Sequence, residues 1–135
     1  MGDRFRFRAW DKSFNKYCEN VIVSTINEKI TVYGRLVDGR TALIPNSHVV
    51  LEQCTGVKDK NGTLIYEGDL LKWSDYDNYP YLVRVSWCDL LCCFAFINED
   101  SKFMANHLEP FWNKDVEVVG NIHENPDLEY EERRW

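Results

Sequence analysis

The sequence lacks the features that would direct a protein into a membrane or an export pathway. No apolar run approaches the roughly 18–20 residues of a membrane-spanning helix, and no apolar signal segment follows the charged first residues. The 135-residue chain also has no internal repeat and no low-complexity tract. These absences predict a soluble, cytoplasmic protein of one domain, with room for a small appended subdomain.

Long stretches rich in Ala, Leu, Glu and Lys are missing as well, which disfavours long helices. Val, Ile, Thr, Tyr, Phe and Trp recur instead in short runs, and β-branched and aromatic residues suit strands. With 44% hydrophobic and 14% aromatic residues, the composition is that of a chain with a core rather than of a disordered one. The expected fold class is therefore mainly β.

The spacing of strands and turns predicts two β parts. Bases alternate with aromatic or small side chains over residues 4–10, which indicates a strand, and Asp38-Gly39 between two β-rich runs indicates a hairpin turn. From residue 68 onward short strands follow one another, as in a small SH3-like barrel. The expected parts are an N-terminal β region at residues 1–55, an SH3-like β-barrel at residues 56–126 and an acidic C-terminal tail at residues 127–135.

One strand candidate, residues 90–97, is apolar on both of its faces. A barrel strand needs only one apolar face for the core, so the second face would pack against the N-terminal region or against a second subunit. This pattern predicts a homo-oligomer.

The charge is acidic overall and differs between the two ends of the chain. The 22 acids and 16 bases give a net charge of −6, which disfavours general binding to nucleic acid. Near the start, Arg4, Arg6 and Arg8 alternate with aromatic or small residues, and basic groups beside aromatic platforms can bind single strands. Nucleic-acid binding is therefore an alternative that these arginines would carry.

The five cysteines indicate buried, reduced thiols. Their number is odd, and a cytosolic protein keeps its thiols reduced. Cys88, Cys92 and Cys93 form one close cluster, whereas structural zinc sites usually combine two close pairs. In an extended chain, residues 92 and 93 would point to opposite faces and residue 88 would lie about 13 Å from residue 92. We therefore expect neither a metal nor another cofactor.

Catalytic signatures are absent from the sequence too. It contains no G-x-S-x-G elbow, no Walker loop and no G-x-G-x-x-G motif. Cys54 with His48 or His123 could form a nucleophile–base pair, and Glu67 and Asp69 would share one face of a strand, although a turn is the better interpretation of the two acids. The protein is expected not to be an enzyme.

Three blocks of the sequence resemble the YopX family of phage and prophage proteins. They are FRAWD at residues 7–11, CTGVKDKNG with IYEGD at residues 54–62 and 65–69, and VVGNIHENP at residues 118–126. The resemblance covers nearly the whole chain and implies a small protein of phage or prophage origin. It implies no catalytic residue. The segment between Trp73 and Val116 resembles the family least, and partner specificity is expected there.

The leading hypothesis is a phage-encoded accessory protein in the bacterial cytoplasm that binds another protein, such as a host factor, or assembles with itself. Tyr and Trp are favoured at interfaces, so the aromatic loop at 73–81 and the acidic tail are the candidate protein-binding surfaces. The candidate residues are Trp73, Tyr76, Tyr79, Tyr81, Glu129, Glu131 and Glu132. The alternative is a nucleic-acid-binding regulator that uses Arg4, Arg6 and Arg8.

Overall fold

The structure, a computed structural model, describes residues 2–27, 29–35, 39–74, 80–97, 106–107 and 116–128. The strands of this part of the chain are β1 Phe7–Asp11, β2 Lys16–Tyr17, β3 Glu19–Ile26, β4 Lys29–Arg35, β5 Thr41–Ile44, β6 Val49–Lys58, β7 Leu64–Tyr66, β8 Asp69–Ser74, β9 Pro80–Cys88, β10 Cys93–Ile97, β11 Asn106–His107 and β12 Val116–Asn121. They form three antiparallel sheets, which confirms the mainly β class.

Helical structure is limited to short turns in the described part of the chain. Two 3-10 turns occupy Asp3–Phe5 and Asn46–His48, and residues 126–128 are helical at the start of the predicted acidic tail. None of the helical segments in the described ranges is long and apolar enough to cross a membrane.

The first sheet has the strand order β2-β1-β6-β7. Its strand β1 begins at Phe7 and not at residue 4, because the Arg6 N–H donates to the Asp3 carbonyl at 2.9 Å and closes a 3-10 turn. Ala9 and Trp10 are both buried, at 0% and 7% exposure. β1 is therefore a central strand of this sheet, paired with β6 along its whole length.

The second sheet, β3-β4-β5, packs against the first. The predicted hairpin is confirmed, since β4 and β5 pair antiparallel and Gly39 has a φ of +88°, while Asp38 lies outside the described residues. Val32 and Ile44 share a buried cluster with Ala9 and Val49 of the first sheet. The first two sheets together make up the N-terminal β layer.

The third sheet has the order β11-β10-β9-β8-β12 and curls into a half-barrel, as expected for a small barrel in the C-terminal half. Its core contains Leu71, Val83, Val85, Phe96 and Val116, together with Ile65 of β7. The expected boundary between residues 55 and 56 falls inside β6, because β6 continues to Lys58 and pairs with β7.

Buried Asp59 joins the two halves. Its Oδ1 accepts the backbone N–H groups of Asn61 and Thr63, both at 2.9 Å, and its Oδ2 accepts that of Val118 in β12 at 2.9 Å. The carboxylate is 5% exposed, and each oxygen is paired. The loop after β6 is therefore fixed to the last strand of the half-barrel.

The predicted strand at residues 90–97 is shorter than expected. β10 is Cys93–Ile97, and residues 89–92 form the turn that joins it to β9, with Leu90 91% exposed. The extended geometry assumed for Cys88, Cys92 and Cys93 is therefore wrong. The turn brings Cys88 opposite Cys93.

Candidate functional site

The N-terminal sheet holds an almost buried cluster of charges around Arg8. The guanidinium donates to Glu52 Oε1 at 3.0 Å, lies 2.8 Å from Asp69 Oδ1, and donates to the backbone carbonyl of Glu67 at 3.0 Å. The side chains of Glu52 and Asp69 are only 4% and 3% exposed. Arg8 of β1 thus connects β6 to the turn between β7 and β8 through a desolvated ion-pair network.

Two tyrosine rings enclose the same guanidinium. The Arg8 Cζ lies 4.6 Å from the centre of the Tyr17 ring and 4.8 Å from that of Tyr66, which is cation–π geometry. The Tyr17 hydroxyl donates to Glu52 Oε1 at 2.9 Å. Burial and the Glu52 carboxylate raise the pKa of Tyr17. Burial would lower the pKa of Arg8, but Asp69 and Glu52 outweigh it and raise that pKa.

His123 closes the cluster from the C-terminal side. Its ring stacks on Trp10 with centroids 4.9 Å apart and an interplanar angle of 8°. Its Nε2 lies 3.3 Å from Glu52 Oε2, but this buried atom has no partner of hydrogen-bond geometry within the described chain. The Asn121 side chain positions the segment, because its Oδ1 accepts the His123 N–H at 3.1 Å. Glu52 Oε1 therefore accepts from both Arg8 and Tyr17, and the His123 ring lies beside Oε2 without a hydrogen bond to it.

The acids of the turn after β7 are also partly desolvated. Burial raises the pKa of Asp69, although its ion pair with Arg8 opposes the shift. Burial likewise raises the pKa of Glu67, against the hydrogen bond that its Oε1 accepts from the Gln53 N–H at 2.9 Å. Both carboxyls bind a proton more tightly in the folded protein than in the unfolded chain.

This shift predicts a pH-dependent effect of the Glu67→Gln substitution. The contribution of Glu67 to stability is fully present below its unfolded pKa of about 4.5 and is lost as the pH rises through the higher folded value. We expect the stability of Glu67→Gln relative to the wild type to increase over that window, because only the wild type then buries a charged carboxylate. The substituted amide can still accept the hydrogen bond from the Gln53 N–H. Urea unfolding from acidic to neutral pH measures the difference, and a difference that is independent of pH would contradict the prediction.

An open groove of about 510 Å³ lies beside the cluster, between the start of β1 and the start of β3. Its lining includes Phe5, Arg6, Phe7, Val21, Val23 and Tyr66. Arg8 lines it as well, and no described lining residue is an acid. We call this feature the β1–β3 groove.

The backbone of Phe7 faces the β1–β3 groove. Phe7 pairs with Gln53 of β6, but the Gln53 N–H and C=O both bond to Glu67 and so point away from β1. In this kind of antiparallel pair the backbone groups of Phe7 point away from β6 as well. On that side, β2 pairs only with Trp10 and Asp11. The edge of β1 at Phe7 is therefore open toward the groove.

The structure separates the three arginines of the predicted nucleic-acid surface. The Arg8 guanidinium is held by carboxylates, Arg6 Nε lies 3.3 Å from Asp3 Oδ1, and the Arg4 guanidinium lies 5.0 Å from the centre of the Phe5 ring. Arg4 and Arg6 are exposed, whereas Arg8 is mostly buried. They do not form a continuous row of solvent-facing guanidinium groups.

Most of the predicted protein-binding residues lie outside the described part of the structure. Trp73 and Tyr81 are paired opposite each other in β8 and β9, but their side chains are not described. Five of the predicted protein-binding residues lie outside the described ranges, namely Tyr76, Tyr79, Glu129, Glu131 and Glu132. The aromatic loop and the acidic tail remain predictions.

Sequence reasoning missed the cluster because its members are distant in the chain. Glu52 and Tyr17 lie outside the three family-like blocks, and nothing near either residue signals a shared site. Arg8, Asp69 and His123 do belong to those blocks, which is the only signal that could have grouped them. Within the described residues, no group of three or more His, Cys, Asp or Glu side chains could hold a metal ion.

Comparisons with known proteins agree with the fold. The chain is similar to the crystal structure of protein EF1440 from Enterococcus faecalis, with a TM-score of 0.60, 27% sequence identity, and coverage of 91% of this chain and 96% of that chain. A search of curated proteins found no match. The family model described as YopX protein matches residues 6–128, which include β1, the Arg8 cluster and β12. The chain belongs to the YopX family.

Proposed function

We propose that this YopX-family protein is a non-enzymatic accessory protein of phage or prophage origin that works in the cytoplasm of a bacterial host. It acts by binding an extended, acidic segment of another protein, such as a host factor, in the β1–β3 groove. The observation that carries the proposal is the open edge of β1 at Phe7, which faces a groove with apolar and arginine side chains.

An open strand edge is a binding surface for an extended chain. A segment laid along β1 would bond its backbone to the N–H and C=O of Phe7 and add a strand to the sheet. Alternate side chains of such a segment would point into the groove, where Phe5, Val21 and Val23 offer apolar contacts. Main-chain bonds would provide affinity, and the groove side chains would provide selectivity.

The charge of the lining favours acidic residues in the partner. Arg6 and Arg8 are the positively charged side chains that line the β1–β3 groove, and no described lining residue is a carboxylate. Arg8 is neutralised by its buried carboxylates. The main ionic contact would therefore come from Arg6, whose ion pair with Asp3 is exposed to solvent and weak. This local charge contrasts with the net charge of −6 of the whole chain. Complementary charge acts on specificity and association rate.

Binding to a short synthetic peptide in which Val and Glu alternate tests the proposal. By fluorescence anisotropy, we expect this peptide to bind roughly tenfold more tightly than one in which Val and Lys alternate, a difference of about 1.4 kcal/mol. Hydrogen exchange at the Phe7 amide should slow in the complex, because strand addition protects this N–H. Equal binding of the two peptides would contradict the charge argument, and unchanged exchange at Phe7 would contradict strand addition.

Matched variants locate the binding site. Phe5→Ala and Arg6→Ala remove groove side chains and should weaken binding of the acidic peptide by roughly tenfold each. Phe14→Ala is the control, because Phe14 is 65% exposed and is not a groove residue. A loss of binding in the Phe14 variant equal to that of the Phe5 variant would place the contact outside the groove.

Nucleic-acid binding is the second candidate. It is favoured by Arg4, Phe5 and Arg6, which are exposed next to one another at the start of the chain. A gel-shift titration at about 50 mM salt tests it, because phosphate-driven binding is strong at low salt. We expect no retardation. Micromolar retardation that Arg4→Ala and Arg6→Ala abolish would favour this candidate over protein binding.

Self-association of the chain stays a prediction. The hairpin between β9 and β10 exposes Leu90 at 91% and Trp87 at 46%, so apolar surface remains in the segment that suggested it. Light scattering at high micromolar concentration tests the homo-oligomer, and a monomer there would count against it.

A further inference from the structure

The end of the β9–β10 hairpin holds three thiols close together. Cys88 is the last residue of β9, Cys93 is the first of β10, and the two are direct partners in the antiparallel register. Cys92 lies in the turn between them, exposed and with a φ of 51°. None of these cysteines is in a disulfide. The arrangement differs from that of Cys18 and Cys54, which have no cysteine as a strand partner in the described registers.

The register brings the Cys88 and Cys93 side chains to the same face of the hairpin. The Gly68 N–H donates to the Val85 carbonyl at 2.9 Å, so the backbone N–H and C=O of Val85 point to the β8 side of β9. Because these directions alternate along a strand, the backbone groups of residues 86 and 88 point toward β10. Cys88 and Cys93 are therefore a hydrogen-bonded pair, for which the Cα atoms lie about 5.5 Å apart. This value falls within the range of about 4.4–6.8 Å that disulfides span.

To form a disulfide, the Cβ atoms of Cys88 and Cys93 must move slightly closer together, and this shift would move the least packed part of the hairpin. Directly opposite residues have Cβ atoms about 4.5–5.5 Å apart, and a disulfide needs about 3.5–4.5 Å. The turn that must move carries Leu90 and Leu91, which are 91% and 39% exposed. Little core packing resists an inward shift of this end.

We propose that Cys88 and Cys93 are a dithiol modification site that closes into a reversible intramolecular disulfide when the thiol pool becomes oxidised, with glutathione disulfide as the oxidant. One thiolate of the pair attacks a sulfur of glutathione disulfide, and one glutathione leaves as a thiolate that takes up a proton. The second thiolate then attacks the protein sulfur of the mixed disulfide and releases the second glutathione. Two protein thiols are oxidised, and one glutathione disulfide is reduced to two glutathione molecules.

The consequence is a covalent lock at the end of the hairpin. The bond would hold the turn that exposes Leu90 and the adjoining Trp87, whose ring packs edge-on against Phe94 at 5.2 Å. In a reducing cytosol the site stays open, and an oxidising shift closes it. The proposal is independent of the β1–β3 groove, which belongs to the N-terminal layer.

Peptide mapping of the full-length protein after incubation with glutathione disulfide tests the site. Cleavage before Asp89 by an Asp-specific protease separates Cys88 from the cysteines of the turn, so a linked pair of peptides that dithiothreitol separates reports the bond. We expect this pair, together with a loss of two hydrogen atoms in the intact mass. Cys92→Ser should leave the yield unchanged, whereas Cys88→Ser and Cys93→Ser should each abolish the linked pair.

The remaining outcomes overturn the proposal. A link that disappears in Cys92→Ser but persists in Cys93→Ser would place the bond between Cys88 and Cys92. A glutathione adduct on Cys92 alone, without a linked pair, would show a single reactive thiol. A disulfide found only between two copies of the chain would make the site intermolecular.

Discussion

Replacing Arg8 by Met is expected to lower the free energy of unfolding by about 3–5 kcal/mol, because it leaves buried carboxylates without their cation. Glu52 and Asp69 are 4% and 3% exposed, and Arg8 is the cation bonded to both. Met keeps most of the side-chain volume, so the effect measures lost charge pairing rather than a cavity. Urea unfolding at neutral pH gives the value. The free energy of unfolding of Arg8→Lys should lie between those of the wild type and Arg8→Met. Lys restores the positive charge, but a single ammonium cannot reproduce the forked contacts of the guanidinium.

Arg6→Met is the matched control for this prediction. Arg6 is two residues away, and its Nε lies 3.3 Å from Asp3 Oδ1 with 64% of its side chain exposed. An exposed pair of this kind contributes about 0–1 kcal/mol. Equal losses for the two variants would show that the buried network does not stabilise the fold more than a surface ion pair.

Substituting Gly68 by Ala should destabilise the protein by about 2–5 kcal/mol. Gly68 has a φ of +83°, a conformation that costs an L residue roughly 1–2 kcal/mol. An added Cβ would also overlap with Glu52 Oε2. That carboxylate cannot move freely, because Arg8 and Tyr17 hold its other oxygen. Overpacking of this kind adds about 1–3 kcal/mol.

Gly62→Ala separates the cost of the positive φ from the cost of the overlap with Glu52. Gly62 has nearly the same φ, +84°, but an added Cβ there would meet no atom within 4 Å. It should therefore cost only the backbone part, roughly 1–2 kcal/mol. Thermal or urea unfolding of both variants provides the comparison. A cost for Gly62→Ala that matches that of Gly68→Ala would show that the close approach of Glu52 is unimportant.

The sequence could predict the fold class and most of the strands, since these depend on local patterns. The turn at 89–92 was missed because Asp89 is its only turn-favouring residue, two leucines follow it, and Cys92 rather than Gly or Asn adopts the positive φ. Leu90 and Leu91 of the turn are as apolar as the residues of β10, so residues 90–97 looked like one strand. The start of β1 was placed too early, because alternation cannot reveal a 3-10 turn closed by a single backbone bond.

The candidate site could not be predicted in the same way. Arg8 meets a partner 44 positions away in Glu52 and another 59 positions away at Glu67, so no local window contains the network. Alternation placed Arg8 on a basic, solvent-facing side of a strand. In the fold, however, the turn between β7 and β8 covers that position and supplies Asp69 as a buried counter-charge. Only the tertiary pairing of β1, β6 and β7 reveals that Arg8 faces inward.

The stacking of Trp10 on His123 has a consequence for how the chain folds during synthesis. Strands β1, β6 and β7 leave the ribosome well before His123, so the Trp10 ring has no stacking partner until the more than one hundred residues between the two have been synthesised. Asp59 likewise waits for the Val118 N–H, and one edge of β8 stays unpaired until β12 arrives. Nascent chains therefore carry an open strand edge while the residues between β8 and β12 are synthesised, a state in which they are exposed to aggregation and to holding chaperones.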